Sequence, residues 1–466
     1  MSEVTIIDAM TDPALFGKHF GGDTWAAWRS LLGGFYGLPL DEVALDTFKA
    51  VTALEQAPTA PADELWLAVG RRGGKSHAAA LIATFEAAFH DHRAKLAPGE
   101  VATVMLIAGD RQQARTLQRY VRGMFEHPML RRMVLRETVT GLELSNRCVI
   151  EVGTASFRGV RGYTLAAVIA DEIAFWMSDG ASPDEEVIAA LRPALATLGG
   201  KLIAISSPYA RRGILWTTYR KHFGQANDRV LVAQAPSRTM NPNLSERVVD
   251  EAMKDDSARA SAEYLAQFRT DVEAFLTMEI VCAAQRQEPL VVPPLPSVRY
   301  FAFVDPSGGG ADEFTLAIGH KDGQRIVVDL VTGKRGNPAS ITAEFCALLK
   351  EYRCHTVRGD RYSGEWSRTE FARHGVTYLD APGARTDLYL SLGSALNAGR
   401  VELPPCQTLE RQLVALERRT SRGGRDQIDH SPGAHDDRAN AAAGMVAVLV
   451  GDNRNLYPSF GSYGLE

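Results

Sequence analysis

No apolar run in the sequence approaches the roughly 18 residues that a membrane-spanning helix needs, so no membrane span is expected. The first residues, MSEVTIIDAMTDP, are acidic and no basic region leads into an apolar stretch, so secretion is not expected either. Cysteine is sparse. Cys148, Cys282, Cys346, Cys354 and Cys406 are scattered without a C-x-x-C pair, which argues against a zinc site or disulfide framework and for a reducing cytoplasm. Positive charge is not in excess: 51 Lys and Arg against 56 Asp and Glu leave a formal net charge of −5, so any nucleic-acid contact depends on local patches. The densest patch is RQLVALERRTSRGGRDQIDH, with Arg411, Arg418, Arg419, Arg422 and Arg425. Taken alone it reads as a solvated helix face followed by a flexible loop. Repeats and low-complexity tracts are also missing.

What is there suits an ordinary globular chain of about two or three domains, by its 466 residues, 45% hydrophobic and 23% charged. In the first half, short apolar runs (ELWLAV, VATVMLIAGD, LAAVIADE, KLIAISSP) alternate with helical patterns (KSHAAALIATFEAAF, RQQARTLQRYVRGMF). That alternation predicts a parallel sheet flanked by helices, an α/β fold. GLELSNRCVIEVGTAS reads as a β-hairpin turning at SNR. After the polar helical stretch SERVVDEAMKDDSARASAEYLAQF, four prolines at 289, 293, 294 and 296 mark the expected domain boundary. The second half then runs β-β-β-α-β-α-β-α, with three strands in a meander followed by strands entered through helices.

AVGRRGGKSHAAA resembles a phosphate loop whose first glycine is replaced by Val69. Gly70, Gly73 and Gly74 still let backbone N–H groups converge on phosphate oxygens. Lys75 can reach the outer phosphates, the Ser76 hydroxyl can ligate Mg²⁺, and a helix starting at Lys75 adds its N-terminal dipole. A glycine-rich turn binding nothing would look the same, and a second site decides between them. LAAVIADE is an apolar strand ending in Asp171 and Glu172. Two acids there are costly to desolvate, whereas in P-loop ATPases the first holds Mg²⁺ and the second polarises the attacking water. In LIAISSP, Ser206 and Ser207 end another strand, where small hydroxyls can sense the outermost phosphate. Arg158 and Arg161, in FRGVRGY, could contact phosphate or DNA but each alone reads as a surface residue.

With Arg71 four residues before Lys75, VRGYTLAAVIADE and ISSP, the chain resembles the large terminase subunit of tailed bacteriophages and prophages, from about Trp25 to about Val450. The resemblance implies a DNA-packaging motor with an N-terminal ATPase and a C-terminal RNase H-like endonuclease. It implies that Gly70, Arg71, Gly73, Gly74, Lys75, Ser76 and Asp171 bind ATP with Mg²⁺, that Glu172 is the catalytic carboxylate, and that Ser206 and Ser207 couple hydrolysis to movement. MNPNL, from Met240, matches the segment leaving the ATPase core. Implied partners are double-stranded DNA, a small terminase subunit and the portal of a procapsid, with a homo-oligomer on the portal, in the cytoplasm of the bacterial host. No adenine-binding motif is evident, although Trp25, Trp28 and Phe35 lie where one would be sought.

The second half supplies the carboxylates of a nuclease. YFAFVDPSGGG ends a strand at Asp305, HTVRGDRY ends another at Asp360, and GAHDDRANAAAGMVAVL opens the last helix with Asp436 and Asp437. If the first two strands are parallel neighbours, their ends coincide. Asp437 stands one turn before the apolar stripe Ala441, Met445, Leu449, which should face the sheet. Such a set can hold two divalent ions (Mg²⁺ or Mn²⁺) roughly 4 Å apart. Many family members read Asp-Asp-x-x-Asp-Ala here, whereas this chain has Asn440 at the third acid. Asp305, Asp360 and Asp437 are therefore the expected metal carboxylates, with Asp436 assisting or capping the helix. The arginines at 411–425 then become a candidate DNA-backbone grip. The expected organisation is an N-terminal helical segment (1–60), a P-loop ATPase core (61–243), a helical and proline-rich linker (244–296), an RNase H-like nuclease (297–453) and a tail (454–466). Two other readings share these motifs: a helicase-like translocase with a nuclease in repair or defence, and an ATP-dependent DNA-binding protein whose nuclease domain is inactive.

Overall fold

In the first sheet, alternate residues of one short strand belong to two different cores. Leu65, Leu67 and Val69 pack into one apolar cluster, while Trp66 and Ala68 pack into another on the opposite face. A strand buried on both faces reads as a continuous apolar run, which is why ELWLAV shows no polar alternation. The computed structural model describes residues 4–155, 162–176, 183–227, 229–306, 312–360, 364–420, 426–431 and 434–451. The chain divides into two units, Met1–Thr270 and Asp271–Glu466.

The first unit is built on eight strands: β1 (Glu64–Val69), β2 (Ala102–Ala108), β3 (Val134–Glu137), β4 (Gly141–Leu144), β5 (Cys148–Thr154), β6 (Thr164–Asp171), β7 (Lys201–Ser206) and β8 (Val230–Ala235). Their spatial order is β3-β4-β5-β2-β6-β7-β1-β8. From β5 to β8 all neighbours are parallel. The expected hairpin is present as the antiparallel pair β4–β5, with Arg147 in its turn at φ +62°. Helices Lys75–Ala88 and Arg111–Phe125 cover one face, and helices Pro183–Ala196 and Gly213–His222 cover the other. β7 lies between the phosphate-loop strand β1 and the acid-bearing strand β6, so their carboxyl ends, where α/β sheets place ligands, meet around Ser206.

In the second unit the strands are β9 (Val272–Ala274), β10 (Tyr300–Asp305), β11 (Phe314–Asp322), β12 (Arg325–Lys334), β13 (Thr356–Gly359), β14 (Thr377–Asp380), β15 (Val401–Glu402), β16 (Leu416–Thr420) and β17 (Asp426–His430). The main sheet runs β14-β13-β10-β11-β12-β15. β10, β11 and β12 form the expected antiparallel meander, and β13 lies parallel to β10 with Val304 opposite Gly359. This is the RNase H-like arrangement, and it brings the ends of β10 and β13 side by side. Helix Asp437–Gly451 packs on the sheet at very short range: a Cβ on Gly444 would lie 2.4 Å from the Phe303 ring. The expected stripe Ala441, Met445 and Leu449 is buried, but so is nearly every residue from Ala439 to Leu449, so the helix is core on all sides.

The structure divides the chain away from the proline-rich stretch. Helices Glu246–Asp255 and Ser257–Leu265 belong to the first unit, where the Glu263 carbonyl accepts the Arg71 N–H at 2.5 Å. Residues 271–296 belong to the second: β9 pairs with β16, and Leu276 and Val281 are buried in its core. Residues 244–296 are therefore parts of two folded units, not a linker. The arginine-rich stretch also departs from expectation. Helix Gln407–Val414 ends early and the chain turns into the antiparallel pair β16–β17, part of a three-stranded sheet with β9. Here Arg418 pairs with Asp426 at 3.5 Å, and Arg419 bonds Glu417 and the His430 carbonyl. Arg158, Arg161, Arg422, Arg425 and the tail 454–466 lie outside the described residues. Among the described residues no helix is long and apolar enough to cross a membrane.

A fragment begun at Ser297 would lose β9 and the helix Met278–Ala284 together with their buried Leu276 and Val281. A fragment begun at Asp271 is expected to be more stable in urea unfolding by at least about 2–5 kcal/mol, the cost of losing even one large buried apolar side chain. Equal stabilities would show that residues 271–296 contribute nothing to the fold.

Candidate active sites

The phosphate-loop sequence adopts a cradle at the end of β1. Gly74 sits at φ +87° as the residue before helix Lys75–Ala88, a conformation that favours glycine. A Cβ at Gly70 would lie 2.3 Å from the Ser237 hydroxyl, so this glycine is required by a close approach. Three side chains from elsewhere bind the loop's carbonyls. Ser237 Oγ donates to Arg71 O at 2.6 Å, Asn241 Nδ2 to Arg72 O at 2.8 Å, and Trp28 Nε1 to Gly73 O at 2.8 Å. These bonds fix the course of the loop from outside and hold its shape. Sequence reasoning missed all three roles. Asn241 lies inside the MNPNL segment, and Trp28 is one of the aromatics placed where an adenine contact would be sought. Trp28 and Phe35 are fully buried, whereas Trp25 is half-buried and approaches Gly74.

Lys75 is buried, and its Nζ donates to Val69 O at 3.1 Å and Ser207 Oγ at 2.8 Å, with Glu172 Oε1 at 3.4 Å. Glu172 has φ +51°, a strained conformation for a non-glycine residue that persists only where the surroundings fix it. Its Oε2 accepts from Ser206 Oγ and from Ser207 N–H, both at 3.1 Å. The two serines thus join the lysine of one strand end to the glutamate of another. Asp171 is buried beside Glu172, and burial pushes its carboxyl up to about 7 against the opposing pull of Lys75 and Ser76. Its Oδ1 has no hydrogen-bond partner, an orphaned acceptor suited to a Mg²⁺ arriving with nucleotide. Arg71 is half exposed, 3.5 Å from Glu263.

In the second unit a cavity of about 270 Å³ opens at the ends of β10 and β13. Asp305, Asp360, Asp436, Asp437 and Asn440 all line it, with Asp312, Glu313, Arg385, His430 and His435. Asp437 Oδ2 accepts the Glu313 N–H at 3.0 Å, and its carboxyl is raised above the usual range chiefly by burial. Asp305 is more strongly affected, pushed up to about 7 by burial despite Asn440 and Arg385. Asn440 does not leave a gap where an acid is missing: its Nδ2 donates to Asp305 Oδ2 at 2.7 Å, and its Oδ1 is buried without a partner. The cap expected from Asp436 is absent. The first amides of the last helix, at Arg438 and Ala439, donate to Gln412 Oε1 at 2.7 and 3.1 Å. The Asp436 carboxylate instead accepts from Tyr389 Oη at 2.6 Å and pairs with Arg385.

The residues present fit divalent metal. Ligand atoms of Asp312, His435 and Asp437 lie within 4.8 Å of one another, and Asp305 and Asp360 line the same cavity. Asp312 and His435 were not foreseen; their only signal was proximity to the flagged acids, in GGGADEF and GAHDDR. Arg411 lies on helix Gln407–Val414, half-buried, and does not line the cavity; neither do Arg418 and Arg419.

Solved structures that this chain resembles include large terminases of bacteriophages. The HK97 bacteriophage large terminase is 16% identical over 91% of this chain and 99% of its own, with a TM-score of 0.39. The large terminase of a thermophilic bacteriophage is 13% identical over 91% and 98%, with a TM-score of 0.40. The large terminase nuclease of the thermophilic phage G20c, with bound magnesium, is 18% identical over 36% of this chain and 95% of its own, with a TM-score of 0.32. No protein-family model and no curated protein matches the chain.

A carboxyl raised to about 7, as at Asp305, keeps its proton on the folded chain when the unfolded chain has lost it, from about pH 4 upward. Its contribution to stability is therefore full below about pH 4 and is lost as the pH rises through about 7. Metal needs the ionised form, so Mn²⁺ binding should release a proton near pH 6 and little near pH 8. Calorimetry in buffers of different ionisation heat should show tighter binding at the higher pH. It should also show a proton release that Asp305→Asn removes. Binding indifferent to pH in this window would contradict the burial of Asp305.

Proposed function

We propose that the chain is the motor and cutting subunit of a viral DNA-packaging machine. It would hydrolyse ATP in the first unit to drive double-stranded DNA into a procapsid, and cut concatemeric DNA in the second. The observation that carries this reading is the presence in one chain of two centres: a phosphate cradle linked through Ser206 and Ser207 to Glu172, and an acid-lined cavity at the paired ends of β10 and β13.

In the first centre Gly70, Arg71, Gly73, Gly74 and Lys75 would hold the phosphates, and Ser76 with Asp171 would hold Mg²⁺. Glu172 would orient the attacking water and accept its proton. The network gives Ser206 and Ser207 their proposed coupling role. Ser207 bonds Lys75 through its hydroxyl and Glu172 through its N–H, so a lysine drawn toward phosphate changes the partner of the residue that holds the catalytic carboxylate. Release of phosphate would return Lys75 to Ser207 and Val69.

In the second centre Asp305, Asp360 and Asp437 would hold two divalent ions, with Asp312 and His435 completing their surroundings. When bound, such ions supply Lewis acidity toward the scissile phosphate. The chain's own part is to keep Asp305 oriented through Asn440 and Asp437 through the Glu313 N–H. The proposed partners are a small terminase subunit and a portal, with several copies of the chain acting together, and Arg411, Arg418 and Arg419 as an outlying DNA-backbone contact. A subunit whose cutting centre is inactive is the second reading, and Asn440 is the observation that favours it.

The decisive experiment separates the two centres in the full chain. Lys75→Ala or Glu172→Gln should lower ATP turnover at least a hundredfold, about 2.7 kcal/mol of barrier, while leaving metal-dependent nicking of plasmid DNA intact. Asp305→Ala and Asp437→Ala should abolish nicking and spare ATP turnover. ATP turnover indifferent to both substitutions of the first pair would sink the motor reading. A wild-type chain that hydrolyses ATP yet cuts with neither Mg²⁺ nor Mn²⁺ would establish the inactive-nuclease reading.

A further inference from the structure

Six carboxylates and a single guanidinium, that of Arg385, line the cavity of the second unit among the described residues. Arg385 opens helix Arg385–Asn397, and Tyr389 follows one turn later on the same face. Both reach Asp436: Arg385 pairs with Oδ1, and the Tyr389 hydroxyl donates to Oδ2 at 2.6 Å. Both oxygens of Asp436 are thus engaged, and its side chain is only 3% exposed, whereas Arg385 keeps 43% of its side chain open. A cation fixed beside a cavity that gathers metal ions repels them, so its presence needs another justification. The acids offer nothing to a phosphodiester except repulsion. A guanidinium has five donors in a planar fork that matches two phosphate oxygens, and Asp436 cannot use them all.

We propose that Arg385 grips a backbone phosphate of the DNA at the cutting centre, and that Asp436 and Tyr389 are its positioning residues rather than holders of metal. This rests on the nuclease reading of the cavity. It gives Asp436 and Asp437 different work although they are adjacent. Asp437 meets the Glu313 N–H and stands near Asp312 and His435, while Asp436 turns to the helix carrying Arg385.

The test uses the full chain, with folding of each variant checked by its melting curve. Arg385→Ala should slow cleavage about a hundredfold or more. It should also reduce the slope of log affinity against log salt for a short duplex, measured in Ca²⁺, by about 0.9, the share of one phosphate contact. Arg385→Lys should recover the slope, because the charge is restored, but only part of the rate, because the fork is not. Tyr389→Phe should keep the slope and lose part of the rate. The heat of Mn²⁺ binding, with the proton release that Asp305→Asn removes, should persist in Arg385→Ala and in Asp436→Asn. Loss of that heat in Asp436→Asn, or an unchanged salt slope in Arg385→Ala, would overturn the proposal while leaving the nuclease reading standing. A wild-type chain that neither binds Mn²⁺ nor cuts would overturn both.

Discussion

Carboxylates at the ends of buried parallel strands are expensive, because the sheet that positions them also removes water from them. Asp171 at the end of β6 and Asp305 at the end of β10 are each pushed up to about 7 by that burial. Neighbouring groups relieve the cost only in part: Lys75 and Ser76 for the first, Asn440 and Arg385 for the second. Much else in the two units answers to this constraint. It calls for a cation near each acid and for rigid strands to hold groups that repel one another, and it leaves Asp171 Oδ1 and Asn440 Oδ1 buried without a partner.

The two centres meet it differently. In the first, Lys75 is tied to backbone carbonyls and to Ser207, all within one short network that a phosphate can rearrange. In the second, the cation belongs to a separate helix and is fixed through Tyr389 and Asp436, one of the acids lining the cavity, which leaves Asp305 and Asp437 with other partners. On the proposed function, the first arrangement lets the lysine change partners and the second keeps the guanidinium in place.

The sequence made most of the scaffold legible. Apolar runs such as ELWLAV and VATVMLIA announced strands buried on both faces, and three strand-like runs followed by crossovers announced the second sheet. The meeting of Asp305 and Asp360 at neighbouring strand ends followed from that strand order. What stayed hidden was set by tertiary contact. β16 and β17 carry mostly polar side chains and bury chiefly Leu416, Glu417 and Ile428, so alternation gave no sign of a hairpin. Asp436 has the residue type and position of a helix cap, but Gln412 arrives from another helix to do that work. Asn440 read as a missing acid because its bond to Asp305 spans more than a hundred residues. The boundary was misplaced because prolines mark where regular structure is hard, whereas burial of Leu276 and Val281 decides which unit a segment joins.

The backbone of the phosphate loop is held by Trp28, Ser237 and Asn241 at its carbonyls and by the Glu263 carbonyl at the Arg71 amide. Three of these four come from the far end of the first unit. A ribosome therefore finishes the GRRGGKS segment long before it makes the residues that give that segment its shape. The cradle's shape is therefore acquired late, when the last helices of the unit dock. A half-made or locally frayed chain carries the motif without the bonds that hold its backbone.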